Sequence, residues 1–192
     1  MRNQVKFLLL ALTIALTVVI SGCDQAAPAV GQPTPDTPSK TVEQTQPGNA
    51  TQKPEQTMQI VVYHATRDAM HLVGELHKVP LNSHPARTAV ELLIAGTQNP
   101  QLVSVMPTGV KLKNVTVKDH VAYVDFDDKL IKNNVGGSTG ETLLVGSIVN
   151  TLTEFPDIHK VQILVNGKKI ETIAGHTDVS EPLSRSEQII KK

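Results

Sequence analysis

Apolar and polar positions alternate with two distinct periods from residue 58 to about 180, and those periods predict the elements. Met58–Tyr63 (MQIVVY) reads as a strand by composition. Ala69–Val79 alternates, with Met70, Leu72 and Leu76 on one face and His71, Val73, Glu75 and His77 on the other, as in a half-buried strand. Ala86, Ala89, Val90, Leu93 and Ile94 then recur at helical spacing and make one apolar stripe. Ser83 offers that helix an N-cap, Pro85 suits its first turn and Gly96 closes it. Val110–Val117 and Val121–Phe126 predict a hairpin turning at Lys118-Asp119-His120. On its second strand Ala122, Val124 and Phe126 share one face, and Val121, Tyr123 and Asp125 the other.

A second helix is predicted after the glycines at 136 and 137, capped by Ser138 or Thr139. Its stripe is Val145, Ile148, Val149 and Leu152 with Phe155 at the edge, and Pro156 stops it. Val161, Ile163 and Val165 alternate on a further strand, and Asn166-Gly167 is a type I′ hairpin signal returning Lys168–Ile173. Beyond Gly175 the chain turns polar and is expected to pack loosely. The order β-β-α-β-β-α-β-β predicts an α+β two-layer sandwich, one mixed, mostly antiparallel sheet with both helices on one face. Ile60, Val62, Leu72, Val124, Phe126 and Ile163 are the expected core positions of that sheet.

The front of the chain follows other rules. Arg2 and Lys6 precede an uncharged apolar run, Phe7–Ile20, whose 14 residues span about 21 Å as a helix. That is short for a bilayer core of about 30 Å and suits a signal-peptide core. The run ends in Ile20-Ser21-Gly22-Cys23, which resembles a bacterial lipobox, with small residues before the cysteine that is cleaved and acylated. Residues 1–22 are therefore expected to be a lipoprotein signal peptide and Cys23 the lipidated N-terminus, carrying palmitate-type chains. Residues 23–57 are expected to form a tether. Six of the chain's 12 prolines fall between positions 24 and 57, among Gln, Thr and Ala, a composition too polar to support a packed core. As a coil such a tether spans roughly 30 Å. The domain is then 58–185, followed by a polar tail, 186–192. The expected location is the cell membrane, lipid-anchored on its extracytoplasmic side, with the membrane contacted through Cys23.

Composition narrows the chemistry. The 192 residues carry 18 basic and 18 acidic side chains, which denies nucleic acid the positive field it requires. Loss of Arg2 and Lys6 with the leader leaves 16 basic against 18 acidic groups, a net charge of −2. The chain has no Trp, two Tyr and three Phe, too few rings for a base-stacking groove or an aromatic cage. One Cys excludes an intramolecular disulfide and multi-thiolate metal sites. The seven histidines show no HxH or HxxxH spacing; His71 and His77 share a strand face about 20 Å apart, and solvent-facing histidines are expected. Asp125, Asp127 and Asp128 lack the glycine-spaced loop of a calcium site. Gly136-Gly137-Ser138-Thr139-Gly140 matches G-x-S-x-G, but a polar segment stands where a nucleophile elbow needs a strand. An enzyme reading would require Ser138 to meet His159 or His176. No catalytic residue, metal or cofactor is implied.

Several short stretches resemble GerM-type lipoproteins, which carry the GerMN sporulation and germination domain. Ile60–Tyr63 and Leu72–Glu75 resemble its first two strands, and Ala89–Gly96 (AVELLIAG) its first helix. Val105–Val110 (VMPTGV) is similar to an "iPxGt" loop and Val121–Phe126 (VAYVDF) to an "a-x-V-d-F" strand. Ile148–Pro156 and Val161–Gly167 resemble the second helix and last hairpin, and Asp178–Arg185 (DVSEPLSR) the closing "dxsePLxR". Thr97 stands where the family often has proline, His77 where arginine is common, and one domain copy fits. The resemblance implies a non-catalytic scaffold or partner-binding module in spore-envelope assembly or germination, with a core similar to ring-building motifs of secretion machines. Its partner is an envelope protein or a second copy of the chain. Peptidoglycan or small-ligand binding and a hydrolase using Ser138 are the rival readings.

If the helices cover one sheet face, the other is open. Val61, Tyr63, Val73, Val121, Tyr123 and Leu164 are out of phase with the core and are expected to line it as the partner-binding surface.

Overall fold

The computed structural model describes residues 56–192. The signal peptide, Cys23 and nearly all of the tether lie outside the described residues. No helix among the described residues is long and apolar enough to cross a membrane.

Strands β1 (Thr57–Thr66) and β2 (Leu72–Pro80) pair antiparallel, and β3 (Leu102–Val103) adds to the far end of β1 after helix α1 (Pro85–Ala95). Strands β4 (Leu112–Lys118) and β5 (Val121–Phe126) form the expected hairpin. Asp119 and His120 both take positive φ (50° and 61°) as a type I′ turn requires. A short helix α2 (Lys129–Lys132) leads to α3 (Gly137–Leu152). Strand β6 (Lys160–Val165) then runs parallel to β5, with β7 (Lys168–Lys169) and β8 (Leu183–Ser184) added to its outer edge. A 3-10 turn (Glu187–Ile189) follows β8.

The architecture is α+β, with antiparallel and parallel pairing and helices packed on sheet. The strands divide into a three-stranded sheet, β2-β1-β3, and a five-stranded one built on β4-β5-β6, where the strand order predicts a single sheet. Helix α3 explains the division. From Leu143 to Leu152 every residue is buried, so this stretch has no exposed face and must be covered on several sides. The backbone N–H of Tyr63 donates to Thr151 Oγ1 at 3.0 Å. An N–H has one hydrogen, so this edge of β1 is satisfied by the helix instead of a neighbouring strand. One continuous core joins Ile60 and Val62 of β1 to Ala89, Val90 and Leu93 of α1, Ile148 and Leu152 of α3, and Val124, Phe126 and Ile163. A second cluster, Tyr63, Ala65, Leu72 and Leu143, fills the other side of β1.

Three local expectations are corrected. On β2, Leu72 is buried but Leu76 is 59% exposed, and Met70, expected on the same strand, lies in the turn before it and is 62% exposed. Register pairs Ile60 with His77 and Val62 with Glu75, so those two polar residues lie on the same side as core residues of β1, and the Leu72 face is covered only at its start. The helix caps shift: α1 starts with His84 at N-cap and Pro85 at N1. Gly136 is the N-cap of α3, so Ser138 and Thr139 sit inside the first turn and neither caps by its side chain. The segment after Gly175 is anchored, not loose. Val179 is fully buried, Leu183 pairs with Val161, and the Lys191 N–H donates to the Leu72 carbonyl.

Candidate functional site

The outer face of the β4-β5-β6 sheet is built by strict alternation. With Ala122, Val124 and Phe126 turned into the core, Val121, Tyr123 and Asp125 face the other way and are half-buried. The parallel register sets Tyr123 beside Gln162 and Asp125 beside Leu164. The antiparallel register sets Tyr123 beside Thr116 and Val121 beside Lys118. Gln162 is fully buried on this face, where its Nε2 donates to the carbonyls of Val179 (2.9 Å) and Ile163 (3.2 Å) and its Oε1 has no partner. Val121, Tyr123 and Leu164 therefore remain together on one partly open surface.

The other three residues expected there are elsewhere. Val61, Tyr63 and Val73 belong to the β1-β2 sheet, which α3 separates from the first. Tyr63 is buried, and its face packs on Leu143 and Leu72. Its phenol donates to Glu154 at 2.8 Å and accepts from Arg185 Nη2 at 2.7 Å. Burial and the bond to Glu154 raise the phenol pKa above its ordinary value, so it stays a donor. Arg185 also pairs with Glu154 and Glu187 and donates to the Asn150 carbonyl, with its guanidinium over the Tyr63 ring. The closing "PLSR" stretch is thus a clasp on α3 and β1. Val73, opposite His64, lies on the Ile60 side of the sheet.

The loop that resembles "iPxGt" buries Met106 and Pro107 and turns at Gly109 with φ 76°. Beside it a cleft of about 470 Å³ opens between Val103, Met106, Leu143 and Val135, the last 96% exposed.

The Ser138 alternative lacks the contact it requires. Among the described residues the Ser138 hydroxyl makes no hydrogen bond to a histidine. His159 is stacked on His120 with centroids 4.5 Å apart, and His176 is held near Glu141 through its backbone N–H. The three aspartates are each occupied. Asp125 accepts from the Gly167 N–H and Asp127 from the Lys111 N–H, while Asp128 pairs with Lys132.

Histidines depart from expectation at one place. His84, His120, His159 and His176 are exposed, but His64 is fully buried and neither ring nitrogen has a partner. Its nitrogens lie with Glu75 and His77 in a group whose ligand atoms are all within 4.8 Å of one another. Sequence reasoning missed this because spacing rules look along one strand, whereas this group forms across two. The legible part was Glu75-Leu76-His77, whose i, i+2 spacing puts a carboxylate and an imidazole on one strand face.

Comparisons with known proteins agree with this architecture. Residues 61–171 match the Germane family, described as sporulation and spore germination. The spore germination protein GerM of Bacillus subtilis (strain 168) is 28% identical over 125 residues, 62% of this chain. That alignment spans 33% of GerM's own length. The solved first GerMN domain of GerM superposes with a TM-score of 0.58 at 26% identity, over 67% of this chain and 98% of that one. The tandem GerMN structure gives a TM-score of 0.58 at 24% identity over 67% and 46%.

Proposed function

From the premise that this chain belongs to the Germane family of sporulation and spore germination, we propose that it is a membrane-anchored extracytoplasmic lipoprotein. Its GerMN-like domain is a non-catalytic module that binds an envelope protein or a second copy of itself during sporulation or germination. The observation that carries the binding role is the parallel pair β5–β6. Parallel pairs are ordinarily covered on both faces, yet here Val121, Tyr123 and Leu164 remain only half-buried on the outer one, beyond the part that Val179 covers at Gln162. A second protein surface is the natural cover. The anchor rests on Phe7–Ile20 and the lipobox-like Ile20-Ser21-Gly22-Cys23.

Two variants test the two halves. Cys23→Ala is expected to lose radiolabelled-lipid incorporation and release the domain from membranes; label persisting in that variant refutes the anchor. Tyr123→Glu is expected to leave the thermal midpoint nearly unchanged and to abolish crosslinks formed in native membranes. Unaltered crosslinking removes this face from consideration and moves attention to the cleft beside Val135. Ser138→Ala is expected to leave the cellular phenotype intact; complete loss of function with unchanged folding would favour the hydrolase.

A further inference from the structure

We propose that His64, Glu75 and His77 form a binding site for a single divalent transition-metal ion of the zinc class, with a fourth position open to water. The inference is independent of the partner-binding reading. It starts from His64. A buried imidazole ordinarily satisfies at least its N–H, and leaving buried polar atoms unpaired is unfavourable. Here the ring is fully buried and both of its nitrogens lack a partner. A neutral imidazole carries one N–H and one lone pair, and a bound cation would satisfy the lone pair that the fold leaves without a partner.

The neighbouring strand supplies the rest of the donor set. The register places Val73 opposite His64 and Glu75 opposite Val62, so Glu75 and His77 lie on the sheet face that bears His64. His77 Nε2 lies 3.2 Å from Glu75 Oε1, yet it makes no hydrogen bond. A protonated His77 would pair with Glu75 at that distance, and a neutral one leaves both atoms available to a shared cation. The other carboxylate oxygen, Oε2, accepts from Thr97 Oγ1 at 2.5 Å. That bond orients Glu75 and turns Oε1 toward His77 Nε2, the arrangement by which outer partners fix a metal-ligating carboxylate.

Two imidazoles and a carboxylate are a recurring zinc set with one open position. The imidazoles disfavour calcium and magnesium, which take oxygen donors. Ligand atoms in a tetrahedral zinc site lie about 3.3 Å apart. The observed spread of up to 4.8 Å closes by small rotations of Glu75 and His77, whose side chains are 21% and 22% exposed. The ion would tie β1 to β2 and, through Thr97, to the turn that follows α1.

The experiment uses the full chain stripped with a chelator and titrated with Co(II), then with Zn(II) in competition. The expected result is about one equivalent of four-coordinate Co(II), seen by its visible d–d bands, displaced by Zn(II) with a rise in thermal midpoint. Glu75→Gln and His77→Ala, both at partly exposed positions, should keep the metal-free midpoint and lose the bands. His159→Ala, at the exposed stacked pair, should retain them. Absence of the bands in the wild-type chain, or bands that survive in His77→Ala, overturns the site.

Discussion

The Glu141 carboxylate accepts the backbone N–H of Ile173 at 2.8 Å, although 32 residues separate the two in sequence. The same group accepts the N–H of Ala174 at 2.8 Å and that of His176 at 2.9 Å. A fully buried glutamate in the first turns of α3 thereby holds the loop that follows β7. Burial alone would raise its pKa, but the backbone donors of Ala174, Ile173, His176 and Thr177 together outweigh burial and hold it below the ordinary value.

That direction fixes a pH dependence. A carboxyl more acidic in the folded state than in the unfolded one contributes stability that is complete above its unfolded pKa, about 4.3. The contribution is lost as pH falls through the lower folded value. The urea midpoint of the wild-type chain is expected to fall below about pH 4.3. Glu141→Gln places an amide donor among N–H donors, should cost about 1.5–3 kcal/mol at neutral pH, and should lack that part of the acid slope. Equal slopes in the two proteins over this window refute the assignment.

The bond from Tyr63 to Thr151 makes a second prediction. Thr151→Val keeps shape and volume but removes the acceptor, leaving the Tyr63 N–H unpaired at a buried edge. The expected loss is about 1–3 kcal/mol in urea denaturation. Amide exchange at Tyr63 should accelerate more than at its β2-paired neighbours.

The clasp of Arg185 on Tyr63 is expected to be partly redundant. Tyr63→Phe deletes one hydroxyl while Arg185 keeps Glu154, Glu187 and the Asn150 carbonyl. A loss of about 1 kcal/mol is expected. Arg185→Ala, which also leaves the Glu154 carboxylate without its cation, should destabilise more and loosen Ser184–Ile190 in hydrogen exchange.

What the sequence could and could not convey follows from the range of each signal. Period-2 and period-3.6 patterns are local, so both major helices, the β4–β5 hairpin and the buried face of β5 are legible. The Asn166-Gly167 turn is legible for the same reason, since φ of 51° and 75° is what that dipeptide favours. The phase of β2 is not, because Leu72 and Leu76 look alike until α3 covers one and leaves the other open. The division into two sheets depends on Thr151 meeting Tyr63, a contact across 88 residues with no local trace. The candidate surface was half legible. Val121, Tyr123 and Leu164 follow from alternation along one sheet, whereas Tyr63 required knowing that a helix occupies the edge of its strand.

The end of the chain yields the last prediction. Its charged composition reads as a solvated tail, yet Ile189 and Ile190 pack on the cluster of Tyr63, Ala65, Leu72 and Leu143. The helix admits them at Gly146, where a Cβ would collide with the Ile189 side chain. Ile190 bridges Leu72, and the Lys191 N–H caps the Leu72 carbonyl at 2.9 Å. Two partly buried isoleucines, each contributing less than the roughly 1.5–3 kcal/mol of a fully buried one, should together stabilise the fold by about 2 kcal/mol. Deletion of residues 187–192 is therefore expected to lower the urea midpoint and to raise exchange at Leu72 and Tyr63. The double variant Ile189→Ser, Ile190→Ser should reproduce most of the loss while keeping chain length. Removal of Lys192 alone should change nothing measurable. A truncated chain as stable as the full one would mean that this segment is the solvated tail its composition suggests.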